Sequence, residues 1–178
     1  LATDARVGEL AGAFPADEVV EIASATPSGR SPLEMAKAGL VLGRGVIQAL
    51  GVLRRLKPAA VVGFGGYPTV PPVLAASLLR IPTLIHEQNG VMGRANRLLA
   101  PRVDKIATGF PALDNLDPAL QSKTVFTGNP LRPPVIAAAA TPYAAPAGGL
   151  NLLVFGGSQG ARVMSEIMPA AVEQLAPE

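Results

Sequence analysis

The stretch "HEQNG", His86 to Gly90, holds the only histidine among 178 residues, followed directly by Glu87, Gln88 and Asn89. A histidine beside a carboxylate is the pairing that moves protons near neutral pH, and carboxamides both donate and accept hydrogen bonds. The same residues also make an ordinary polar turn, with the imidazole bonded to a backbone carbonyl. Two further stretches resemble it in placement: "GFGGYP" (Gly63 to Pro68) and "GGSQGA" (Gly156 to Ala161). Each follows an apolar run and precedes a helical pattern. Glycine allows positive φ and close approach of a ligand to the backbone, and a helix N-terminus offers unpaired N–H groups to a phosphate. Neither stretch is a Walker loop or a G-x-G-x-x-G fingerprint, so each is equally readable as a packing turn. Arg132, in "GNPLR", taken singly is a solvated linker arginine.

The elements that must position these turns follow from the pattern of apolar residues. "DEVVEIAS" (Asp17 to Ser24) reads as a short strand, and the opening "LATDARVGELAG" as an amphipathic segment already under way. A helix is expected from Pro32, with Ser31 as N-cap and Glu34 three residues after it, to Leu56, where Pro58 stops it. Its apolar stripe is Leu42, Val46, Ala49, Leu53 and Leu56, widened by Leu40, Ile47 and Leu50. "AAVVGF" (Ala59 to Phe64) is a continuous apolar run, as in a parallel strand buried on both faces. A helix from Val70 to about Leu79, a strand "TLIHE", a helix "GRANRLLA", and strands in "VDKIATG" and "KTVFTG" complete the alternation. From Pro130 to Gly149 the chain is rich in Pro, Ala and Gly, which reads as a linker with one helical turn at "VIAAAA". "LNLLVF" then begins a new strand, and a helix follows "GGSQGA". Strands alternating with helices argue for βαβ units, an α/β fold with parallel sheets, and two domains, the second truncated. Both ends look cut from a longer protein.

Composition narrows the function. The chain is 49% hydrophobic and 16% charged, which excludes disorder. Absence of cysteine rules out disulfides and thiolate metal sites, and a single histidine rules out a His-rich metal site. A net charge of +2 gives no reason to expect nucleic acid. The apolar run from Ala38 to Leu53 is interrupted by Arg44, so no membrane span is convincing.

Taken in order, "GFGGYPTVPPVLAA", "IPTLIHEQNGVMGRANRLLA", "TGNPLR" and "LLVFGGSQGA" resemble the MurG family from about Val61 to the end. The resemblance implies a GT-B type fold: two Rossmann-like domains with a cleft, the first taking a lipid acceptor and the second the sugar nucleotide. It implies transfer of N-acetylglucosamine from UDP-GlcNAc to undecaprenyl-pyrophosphate-linked muramyl pentapeptide (lipid I), giving lipid II for peptidoglycan, with inversion and without a cofactor. Residues 1–129 would be the acceptor domain, 130–149 the linker, and 150–178 the first strand-helix unit of the donor domain. Matching positions imply contacts to UDP-GlcNAc from Asn89, Arg132 and Ser158, with Gly156, Gly157, Gln159 and Gly160 as a phosphate loop. Arg132 would meet the departing diphosphate. Gly65, Gly66, Tyr67, His86, Glu87 and Gln88 would line the acceptor side. His86 and Glu87 are candidates for the general base, although organising the pocket is the preferred role.

The family's opening glycine loop ending in His, and most of its donor domain, are not found in these residues. The 178-residue chain is therefore expected neither to turn over nor to bind UDP-GlcNAc tightly. By resemblance the protein would sit peripherally on the cytoplasmic face of the bacterial inner membrane. Arg54, Arg55 and Lys57 beside an apolar stripe suit an anionic lipid surface, and an ordinary amphipathic helix remains the alternative. Other readings are another GT-B enzyme, such as a UDP-GlcNAc 2-epimerase, or a non-catalytic Rossmann-type nucleotide-binding module.

Overall fold

The computed structural model describes residues 1–4, 14–27, 31–145, 148, 152–156 and 162–174. The chain forms two compact units, Leu1–Pro130 and Leu131–Glu178.

In the first unit β1 (Ala2–Thr3) pairs in parallel with β2 (Val20–Glu21). A second, four-stranded parallel sheet has the order β3 (Val61–Gly63), β4 (Thr83–Glu87), β5 (Lys105–Thr108), β6 (Thr124–Phe126). Within the opening stretch read as an amphipathic segment, Ala2–Thr3 is strand; residues 5–13 lie outside the described residues. The strand expected across Asp17 to Ser24 is confined to two residues, because β1 offers only two partners.

Helices connect the strands: α1 (Pro32–Leu56), α2 (Val70–Leu78, preceded by a 3-10 turn at Tyr67–Thr69) and α3 (Arg94–Leu99). Pro32 opens α1 where no intrahelical N–H is needed, and Ser31 stands at the N-cap, although its side chain makes no capping bond. Lys57 ends the helix in a left-handed conformation, φ 47°, with its N–H bonded to Leu53 O at 2.9 Å. The inward stripe is Ala38, Gly45, Ala49 and Leu53, with Leu42, Val46 and Leu50 half-buried. Leu40 and Ile47, expected inside, are 76% and 72% exposed, and Leu56 is exposed too. The reason is Gly45, where a Cβ would lie 2.0 Å from Ala23 O and 3.0 Å from a Pro71 ring carbon. That close approach against α2 fixes which side of α1 faces inward, and the apolar residues on the other side are left in solvent.

The core under β4 and β5 is Val70, Val73, Ile85, Met92, Leu99, Val103 and Ile106; Ile22, Ala49, Leu53, Ala75 and Ala76 form a second cluster between α1 and α2. Central β4 is buried along both faces. β3 is not, against expectation: Val62 is half exposed and Phe64 more so. β3 is the edge of its sheet, and among the described residues no helix covers the face that Val62 presents.

In the second unit α4 (Pro133–Ala139) occupies much of the segment read as linker, and α5 (Arg162–Glu173) follows. The strand expected at "LNLLVF" is absent from the described part, Leu152 to Gly156. A strand exists only by pairing, and no described residue of this unit offers it a partner.

Candidate active site

The carboxyl ends of β3 and β4 and the first turn of α3 enclose a cavity of about 550 Å3. β3 delivers Gly65, Gly66 and Tyr67 to one wall. Both glycines have positive φ, 82° and 72°, so a side chain at either would strain the turn. Thr69 Oγ1 donates to Gly65 O at 2.6 Å and holds the loop against the start of α2.

Glu87 organises the opposite wall. It is 2% exposed, and its carboxylate accepts four hydrogen bonds: Oε1 from Asn89 N (3.1 Å) and Asn89 Nδ2 (3.0 Å), Oε2 from Gly93 N (2.9 Å) and Asn96 Nδ2 (2.8 Å). Burial is the largest single influence and pushes its pKa up, but the donated bonds from Gly93, Asn96 and Asn89 together hold it below the usual carboxylate range. A carboxylate so fully bonded is a poor proton acceptor; it nucleates the turn and aims the start of α3. Asn89 is exposed and gives its backbone N–H and one Nδ2 hydrogen to Glu87, while its Oδ1 and second Nδ2 hydrogen have no described partner.

His86 faces elsewhere. Its Nε2 lies 3.0 Å from Gly128 O, so Nε2 carries the proton and donates; Nδ1 is buried and has no partner among the described residues. The ring packs beside Phe64, centroids 5.8 Å apart. Two more bonds tie the same loops: Asn129 Nδ2 donates to Gln88 O (3.0 Å), and Gln88 Nε2 to Phe64 O (3.2 Å). The "HEQN" and "GNP" motifs are thus laced together at the ends of β4 and β6.

Of the residues expected at the site, Gly65, Gly66, Tyr67, Glu87, Gln88 and Asn89 line this one cavity, and His86 supports it from behind. Arg132 is the exposed N-cap of α4 in the second unit. Gly156 lies in an exposed coil, and Gly157, Ser158, Gln159 and Gly160 lie outside the described residues. Arg94 and Asn96 also line the cavity and escaped the sequence reading. Their only signal was position: they occupy the first turn of the helix that follows "HEQN", where side chains face the same strand ends.

A parallel sheet flanked by helices, with a polar cavity at the carboxyl ends of adjacent strands, defines a Rossmann-like ligand-binding α/β domain. More narrowly, residues 14–108 match the glycosyltransferase family 28 N-terminal domain, and the chain belongs to that family. It is 64% identical, over 98% of its length, to the UDP-N-acetylglucosamine–N-acetylmuramyl-(pentapeptide) pyrophosphoryl-undecaprenol N-acetylglucosamine transferase of Methylorubrum populi, and 54% identical over 100% to that of Rhodopseudomonas palustris. It covers 48% of each relative, so the chain spans about half the length of the curated relatives it matches. Among solved structures, Acinetobacter baumannii MurG superposes with a TM-score of 0.56 at 34% identity, over 89% of this chain and 40% of that one. The fold is that of the GT-B glycosyltransferases.

Proposed function

We propose that this chain is part of an inverting N-acetylglucosaminyltransferase that moves N-acetylglucosamine from UDP-GlcNAc to lipid I, forming lipid II. In this reading residues 1–129 take the acceptor, 130–149 lead out of the domain, and 150–178 begin the donor domain. The observation that carries it is the cavity between the Gly65–Gly66 turn and the Glu87-centred turn, set in a chain of this family. The 4-hydroxyl of the muramyl sugar attacks the anomeric carbon and UDP departs. Glu87 and His86 shape the acceptor wall; both have the atoms that would take a proton already bonded or buried, so the base is sought elsewhere. Asn89, Arg132 and Ser158 remain the positions assigned to UDP-GlcNAc, with Gly156, Gly157, Gln159 and Gly160 as its phosphate loop.

The test is a transfer assay with labelled UDP-GlcNAc and a short-chain lipid I analogue. The 178-residue chain alone should give no product. The same chain completed at both ends with the corresponding amino-terminal and carboxyl-terminal parts of the Methylorubrum populi relative should give the disaccharide, and a folded fusion of this kind that makes none overturns the reading.

Attachment to the cytoplasmic surface of the inner membrane is part of the same proposal. α1 is long and apolar enough to cross a membrane by length and composition, yet one side of it packs on α2. Its outer side displays Leu33, Leu40 and Ile47, seven residues apart and all strongly exposed, with Arg44 and Arg54 also exposed. An apolar line with basic neighbours suits an anionic lipid surface. Arg55 contributes less, because its guanidinium is paired with Glu18.

A further inference from the structure

Among the described residues that line the cavity, one is a cation that neither motif nor turn accounts for. Arg94 opens α3, and its guanidinium lies over the Tyr67 ring, 5.9 Å from the centroid. Nη2 donates to Pro27 O at 2.7 Å and lies 3.5 Å from Tyr67 Oη. These contacts fix the plane of the guanidinium without neutralising it. Among the described residues no carboxylate forms an ion pair with Arg94. The carboxylate that shares its cavity, Glu87, has both oxygens occupied by four N–H donors. Nε and Nη1 have no described partner, and the Gly65–Gly66 turn that lines the same cavity has no side chain to exclude a ligand.

A planar guanidinium held by one edge, with its other donors open, matches the paired oxygens of a diphosphate. We infer that Arg94 binds the diphosphate of the acceptor in this cavity, and is a specificity-determining residue for a diphosphate-linked glycan over the same glycan without it. The inference rests on the reading of this cavity as the acceptor site. A diphosphate is also present in UDP-GlcNAc; the cavity lies wholly within the first unit, which favours the acceptor's.

Calorimetric titration of the 178-residue chain tests it with three probes. They are a short-prenyl pyrophosphoryl muramyl pentapeptide, the muramyl pentapeptide lacking the prenyl pyrophosphate, and UDP-GlcNAc. The variants are Arg94→Gln and Arg94→Lys, both checked for an unchanged melting curve. The pyrophosphoryl probe should bind the wild type and bind R94Q about tenfold or more weakly, as expected for loss of a charge-assisted contact. R94K, which keeps the charge but not the fork, should fall between. Raising salt should weaken wild-type binding more steeply than that of R94Q, and the probe lacking pyrophosphate should not distinguish the two. Equal binding of the pyrophosphoryl probe to wild type and R94Q overturns the role of Arg94 and leaves the acceptor cavity standing. An equal loss for both muramyl probes makes Arg94 a loop staple and overturns it likewise. A loss confined to UDP-GlcNAc overturns the assignment to the acceptor. No binding of either muramyl probe to the wild type removes the acceptor reading itself.

Discussion

Asn96 Nδ2 donates to Glu87 Oε2 at 2.8 Å and to His86 O at 3.2 Å. One buried carboxamide on α3 thereby bonds both to the carboxylate that shapes the turn and to the backbone of β4. Its Oδ1 is left buried without a partner among the described residues, an arrangement that the two acceptors opposite Nδ2 enforce. The wall of the cavity is thus built from the inside, by groups that a ligand need not touch.

Glu87→Gln should destabilise the first unit by about 2 kcal/mol, because a carboxamide brings an N–H against donors that a carboxylate satisfied. Urea unfolding measures this. An unchanged unfolding midpoint, together with loss of transfer in the longer fusion, would instead mark Glu87 as the base.

The same residue gives the acid limb of stability. The folded-state pKa of Glu87 lies below its ordinary value, so in acid the unfolded chain binds the proton more readily than the folded one. Its contribution is complete above the unfolded value, about pH 4.3, and is lost as pH falls through the folded value. Melting temperatures measured downward from pH 6 should fall below about pH 4 in the wild type and more gently in E87Q.

His86→Ala should lower stability by about 1–3 kcal/mol through the lost bond to Gly128 O and the cavity left beside Phe64. In the fusion it should leave the shape of the pH profile of kcat/KM unchanged. Disappearance of one limb of that profile would make His86 a proton carrier.

Gly45→Ala places a Cβ within 2.0 Å of Ala23 O and should cost about 1–3 kcal/mol. Gly43→Ala meets nothing within 4 Å and should stabilise α1 by about 0.5–1 kcal/mol. Thermal unfolding of the two variants side by side is the check, and equal effects would mean α1 does not dock through Gly45.

Leu40→Glu with Ile47→Glu should reduce co-sedimentation with vesicles containing anionic phospholipid, since both residues are exposed and their loss leaves the core intact. Arg54→Glu should do so more than Arg55→Glu, because Arg55 is already paired with Glu18. Sedimentation unaffected by all four changes would leave the outer side of α1 without a membrane role.

Much of the architecture was legible from local pattern. Apolar runs closed by glycine and proline located β3, β4, β5, α2 and α3, and Ser31, Pro32 and Pro58 bounded α1, since helix starts and stops depend on residues a turn apart. The glycine turn and "HEQN" pointed to the cavity because both sit where strands end. What local pattern left open depended on distant contacts. α1 is apolar on two sides, and only the meeting of Gly45 with Ala23 and Pro71 turns Leu40 and Ile47 outward. His86 was readable as a proton carrier or as a histidine bonded to a backbone carbonyl, and which carbonyl it meets, that of Gly128, 42 residues on, came only from the fold. Arg94 carried no motif, and its place in the cavity comes from Pro27 and Tyr67, 67 and 27 residues away in sequence. "LNLLVF" has the composition of a strand without a described partner to pair with. Periodicity follows from the backbone geometry of a single element. Which face is buried, which side chain is spent on a hydrogen bond and which is left open to a ligand follow from the elements that pack against it.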